Sequence, residues 1–204
     1  MLINFLFSNP LLFVVLVSAL FMSLSLHEFA HAFVAFKLGD PTAKSAGRLT
    51  VNPLAHMDPI GTMLLLFAGF GWARPVPVNP MFLKNIRRDM AIISFAGPIS
   101  NFILAGLSAL ILNVISFDST LLFSFLYYFA LYNIGLGIFN LFPIHPLDGF
   151  KIVSGILPEN LSFQWEQLAP YGTFILLFMI FTDSFGKILF PLMSFVMRIL
   201  GLSL

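Results

Sequence analysis

Two histidines and one glutamate, in His27-Glu28-Phe29-Ala30-His31, interrupt a run from Pro10 to Phe36 whose other residues are apolar or small. On a helix, His27 and His31 lie one turn apart on the same face, about 6 Å from each other, close enough to share a metal ion. Glu28 can then reach a metal-bound water and act as general base. A charge at bilayer depth costs about 2.5–3.5 kcal/mol on insertion scales, so a glutamate in such a run marks function by default. The alternative is a structural polar cluster between helices. A catalytic zinc takes three protein ligands and keeps one position for water, so two imidazoles are one ligand short. Asp148 is the best third candidate, in Asn140-Leu141-Phe142-Pro143-Ile144-His145-Pro146-Leu147-Asp148-Gly149 at the end of a later apolar run. An ordinary Asp-Gly turn is the competing reading, and His145 and His56 are rival ligands. Asn140 is equally suited to donate to a developing oxyanion or to cap its helix.

Composition places these residues in a membrane. Of 204 residues 59% are hydrophobic and 9% charged, with mean hydropathy +0.97, where soluble domains run near 25% charged. The expected class is an all-α polytopic membrane protein, one domain over 1–204 with a core at 10–157 and C-terminal helices at 168–204. A net charge of +1 gives no reason to expect nucleic acid as a partner. There is no cysteine, so a transition-metal site must draw on His, Asp and Glu. Met1 to Pro10 lacks the basic start of a signal peptide, and the apolar run continues past signal length, which makes it a retained span.

The elements that must position the site follow from the apolar runs. Residues 10–37 form a first span about 40 Å long, closed by Lys37 and Gly39. Two more spans are expected at about 91–116 and 121–142, joined by a tight turn at Asp118. A short helix at 150–157 and a polar loop at 158–167 follow, and the apolar stretch from Tyr171, interrupted by Thr182-Asp183-Ser184, gives either two short spans or one span plus an interfacial helix, for a count of about 5–6 transmembrane helices. Between the first two spans, 60–71 is too short to cross and reads as re-entrant. Gly47 to Val51 reads as a short strand, giving a small re-entrant or β-hairpin element. The alternating prolines of Gly71-Trp72-Ala73-Arg74-Pro75-Val76-Pro77-Val78-Asn79-Pro80 force an extended backbone. Trp72, Pro75 and Pro77 there are candidates for binding an extended substrate by strand addition, unless the segment is only a stiffened surface loop. Asn101 reads as an interhelical hydrogen-bond anchor. Lys and Arg cluster in the loops at 37–90 and 143–167, which puts those loops in the cytosol. Both motifs then lie near the cytosolic end of their spans.

With both motifs in hand, the chain resembles the site-2 protease family of intramembrane zinc metalloproteases, peptidase family M50. His27-Glu28-Phe29-Ala30-His31, Asn140 to Pro143 leading to Pro146-Leu147-Asp148-Gly149, Ala96-Gly97-Pro98-Ile99-Ser100-Asn101, and Gly71 to Pro80 carry the likeness. The resemblance implies one zinc ion per chain held by His27, His31 and Asp148, with Glu28 as base. It also implies a small β-sheet element, transmembrane segments as substrates, and the compact prokaryotic form without PDZ or CBS domains. The expected protein is a multi-pass intramembrane endopeptidase of a prokaryotic plasma membrane, its partners being the bilayer and membrane-protein substrates. A zinc transporter and a catalytically silent scaffold are the alternatives. Phe150, where a second glycine often follows, and His145, where the residue is more often apolar or proline, depart from the family pattern.

Overall fold

The computed structural model describes residues 2–67, 69 and 71–202. Among the described residues ten α-helices follow one another: α1 Ile3–Ser8, α2 Pro10–Lys37, α3 Thr42–Ser45, α4 Pro59–Phe67, α5 Ile86–Val114, α6 Thr120–Leu141, α7 Asp148–Ile156, α8 Glu159–Glu166, α9 Ala169–Phe181 and α10 Ser184–Ile199. Three of them are long and apolar enough to cross a membrane: α2, α5 and α6. The pair α9 and α10, bent by 78° about Thr182-Asp183, adds a fourth only if it counts as one broken span. The described residues thus offer three or four candidate spans and do not confirm the expected 5–6. The bend falls where Asp183 takes a left-handed backbone, φ 56°, which an aspartate tolerates better than most residues. The 9-residue α4 is about 13 Å long, too short to cross. Ala68 and Phe70, within the segment read as re-entrant, lie outside the described residues, as do Met1, Ser203 and Leu204.

Helix boundaries follow local chemistry. The Asn9 side chain caps α2 by accepting the Leu12 N–H, with Pro10 at the first helical position. Asn85 caps α5 through the Arg88 N–H, while Asp89 returns a carboxylate oxygen to the Asn85 N–H at 2.9 Å. Ser119 caps α6 after the short Asp118 turn. Helix α5 runs through the centre, packed against α2, α6 and α7. Small residues (Ala96, Gly97, Ala105 and Ala109 on α5, Ala130 and Gly137 on α6) bring the backbones close, as membrane helices require when no hydrophobic force joins them.

Two expectations are corrected. The stretch 158–167 is a helix, not a loop: α8 is held to α7 by Ser154 Oγ donating to Glu166 Oε1 at 2.6 Å and Trp165 Nε1 donating to the Phe150 carbonyl at 2.9 Å. Among the described residues there is no strand, at Gly47–Val51 or elsewhere, and one isolated bridge pairs Met57 with Ala73. Side chains have taken the backbone groups a ladder would use. Ser25 Oγ donates to the Val51 carbonyl at 2.7 Å, His56 Nε2 meets the Thr50 carbonyl at 2.8 Å, and the buried Arg48 guanidinium donates to the Arg74 carbonyl.

Candidate metal centre

His27 and His31 face inward from α2 and are buried. Their Nε2 atoms stand 3.0 Å apart, and Asp148 Oδ2 lies 3.2 Å from each. Asp148 opens α7, and the turn before it returns the chain toward α2. Gly149 lets the α7 backbone pass the Leu141 and Phe142 carbonyls that end α6, since a Cβ there would collide with both oxygens. Gly97 does the same on α5: the imidazoles rest in the space its missing side chain leaves.

The hydrogen bonds around the triangle decide its chemistry. His27 Nδ1 meets Asn101 Oδ1 at 2.6 Å, and His31 Nδ1 meets the Ile93 carbonyl at 2.7 Å. Both outer partners are acceptors, so each neutral ring carries its proton on Nδ1 and turns the Nε2 lone pair inward. Three acceptors thus converge, and Asp148 Oδ2 is buried without a hydrogen-bond donor. Such a cluster demands a positive charge at its centre. Burial alone raises the Asp148 carboxyl, but the imidazoles facing it outweigh burial and hold it well below the usual carboxylate range. A divalent cation meets the demand more fully than a shared proton. Ligand atoms of a tetrahedral zinc site are about 3.3 Å apart, from metal–ligand bonds of 2.0–2.2 Å, and these edges of 3.0–3.2 Å fit that cage. Outward Nδ1–H bonds to fixed acceptors are the usual support of metal-binding imidazoles.

Glu28, on the same helix turn, is half-buried, and its Oε2 accepts the Val76 N–H at 3.1 Å. Pro75 and Pro77 have no N–H, so Val76 offers the one donor of that tripeptide, and the extended segment meets the glutamate there. Trp72 is exposed and packs over Gly61 of α4; Pro75 is exposed and Pro77 half-buried. Asn140 donates to the Leu136 carbonyl of its own helix at 3.0 Å, inside α6 rather than at its cap. The rival ligands stand elsewhere: His56 bonds Thr50, and His145 sets its ring edge against Phe150. Sequence reasoning did not find Asn133, Ser23 or Asp40, each fully buried beside these groups. The signal for Asn133 was present, as an amide in an otherwise apolar span.

A helical membrane protein with a two-histidine, one-carboxylate cage beside a helical glutamate is the class that fold and site define. The profile of peptidase family M50 matches residues 114–180. YwhC of Bacillus subtilis is 42% identical over 187 residues, 88% of this chain and 85% of that protein. Rip2 of Mycolicibacterium smegmatis is 29% identical over 204 residues, 94% and 76% of the two chains. Both are named as candidate zinc metalloproteases. The zinc metalloprotease MJ0392 of Methanocaldococcus jannaschii is 30% identical over 157 residues, 76% of this chain and 38% of that one. No solved structure matches the chain. The chain belongs to peptidase family M50: it is an integral membrane zinc metalloprotease.

Proposed function

We propose that the protein is an intramembrane endopeptidase that hydrolyses peptide bonds within or near transmembrane segments, with zinc held by His27, His31 and Asp148 and Glu28 as general base. The convergence of three buried acceptors with no donor among them carries the ligand assignment. Zinc bound there supplies a Lewis acid that lowers the pKa of water and polarises a carbonyl. The Val76 N–H holds Glu28 Oε2 in place, which leaves Oε1 to take a proton from the attacking water. Glu28 then returns that proton to the leaving amine, so one water is consumed and one acid and one amine result. The extended segment containing Trp72, Pro75 and Pro77 lies along Glu28 and would hold the substrate in the extended form that cleavage requires. Asn140 keeps a second amide hydrogen for a substrate carbonyl. The clustering of Lys and Arg in the loops at this end of the bundle supports a cytosolic-side site in a prokaryotic plasma membrane. A peptidase family with a helical Glu28 at the cage sets the transporter and silent-scaffold readings aside.

The test is co-expression with a tagged single-span substrate. Glu28→Gln keeps the shape and the Val76 bond but removes the base, so cleavage should fall by about 10²–10⁴-fold while zinc content stays at the wild-type level. Wild-type cleavage by Glu28→Gln refutes the mechanism.

A further inference from the structure

The polar groups behind His27 form a closed ring through three helices. His27 Nδ1 meets Asn101 Oδ1 at 2.6 Å, Asn101 Nδ2 donates to Asn133 Oδ1 at 2.7 Å, and Asn133 Nδ2 donates to Ser23 Oγ at 2.8 Å. Ser23 lies four residues before His27 on α2, so the ring leaves that helix, crosses α5 and α6, and returns one turn earlier. Ser23, Asn101 and Asn133 are each 0% exposed. Buried amides in an apolar bundle are costly unless every donor and acceptor is met.

The ring has a direction. Ser23 Oγ–H is spent on the Ala19 carbonyl at 2.8 Å, so its oxygen faces Asn133 as an acceptor. The second Asn133 amide hydrogen goes to the Phe129 carbonyl, also at 2.8 Å. With both hydrogens committed, Asn133 can present only its oxygen to Asn101. Asn101 must therefore turn its amide hydrogen to Asn133 and its oxygen to His27. An oxygen there requires a proton on His27 Nδ1 and leaves Nε2 bare toward Asp148. Reversing the Asn101 amide would place an N–H against Nδ1 and push the ring proton onto Nε2, into the triangle.

We propose that Asn133, fixed by Ser23 and the Phe129 carbonyl, is a positioning residue that sets the tautomer of His27 through Asn101 and so sets the zinc affinity of the site. This rests on His27 being a zinc ligand. Nitrogen NMR of histidine-labelled, metal-free protein reads the tautomer directly, with the His27 signal assigned by its loss in His27→Ala. Zinc affinity comes from chelator competition on the same preparations.

In the wild-type protein His27 carries its proton on Nδ1. In Asn133→Leu, Asn101 is free to turn over, His27 populates both tautomers, and zinc binds about 10–100-fold more weakly, the range for loss of a group that orients a metal-binding imidazole. A merely structural asparagine would lower the thermal midpoint of the metal-free protein without moving the tautomer. A wild-type His27 whose Nδ1 carries no proton overturns the proposal and needs no variant. A folded Asn133→Leu with wild-type tautomer and zinc affinity overturns it equally. Wild-type zinc affinity in His27→Ala is a separate result: it removes the ligand assignment itself, and the positioning role falls with it.

Discussion

Gly97→Ala adds one methyl group at the back of the site. A Cβ built on Gly97 sits 2.5 Å from His27 Cε1, 2.5 Å from His31 Nε2 and 2.6 Å from His31 Cε1. Non-bonded carbons settle at about 3.5–4.0 Å, so the two imidazoles must retreat by about 1 Å. Neither ring can swing freely, because Asn101 and the Ile93 carbonyl hold their Nδ1 atoms. The alternative, moving α5 off α2, gives up helix packing and costs about 1–3 kcal/mol. Metal–ligand distances tolerate only about 0.2 Å, and a 1 Å misplacement at a reacting centre costs about 10²-fold in rate. Gly97→Ala should therefore fold, lose zinc to a mild chelator that leaves the wild type loaded, and cleave about 10²-fold more slowly. Gly106→Ala is the control on the same helix, since a Cβ there meets nothing within 4 Å; it should match the wild type in both readouts. Zinc per chain by atomic absorption and cleavage of the tagged substrate make the comparison. Full zinc retention with wild-type cleavage in Gly97→Ala would refute the claim that the glycine cradles the imidazoles.

Asp40 is fully buried and accepts three donors, the Thr42 N–H, the Thr42 hydroxyl and the Asn79 N–H, tying the end of α2 to the extended segment. Asp40→Ala strands these donors and should cost about 2–4 kcal/mol, from about 1–3 kcal/mol for each unmet buried group, read as a lowered thermal midpoint; an unchanged midpoint contradicts this account. His145 has its pKa lowered by burial and then by Lys151. The folded state therefore favours the neutral ring, and its contribution to stability is lost as pH falls through the unfolded value of about 6.5. The thermal midpoint of His145→Gln should vary less between pH 7.5 and 5.5 than that of the wild type, and an equal slope removes His145 from the balance.

Some of this was legible along the chain because it depends on near neighbours. The 3.6-residue helical repeat alone brings His27 and His31 together, and α2 spans Pro10–Lys37 as its apolar run and terminal signals predict. The Thr182–Ser184 break also falls where polar residues interrupt an apolar run. Polarity misled where a side chain found its partner far away. The stretch 158–167 looks like loop until Trp165 and Glu166 bond α7, and 47–51 looks like strand until Arg48, His56 and Ser25 claim its neighbourhood.

The sequence by itself determined a membrane-embedded pair of histidines spaced to share a metal ion, with a glutamate between them, since composition and helical spacing are local properties. Which third ligand faces them was only a choice among Asp148, His145 and His56 until the chain folded. The tertiary structure decided that Asp148 closes the triangle, because Gly149 lets α7 cross the end of α6 and Gly97 makes room on α5. It also decided how the imidazoles present themselves. Their Nδ1 partners come from α5, more than sixty residues away in sequence, and no spacing rule connects groups that only helix packing brings into contact.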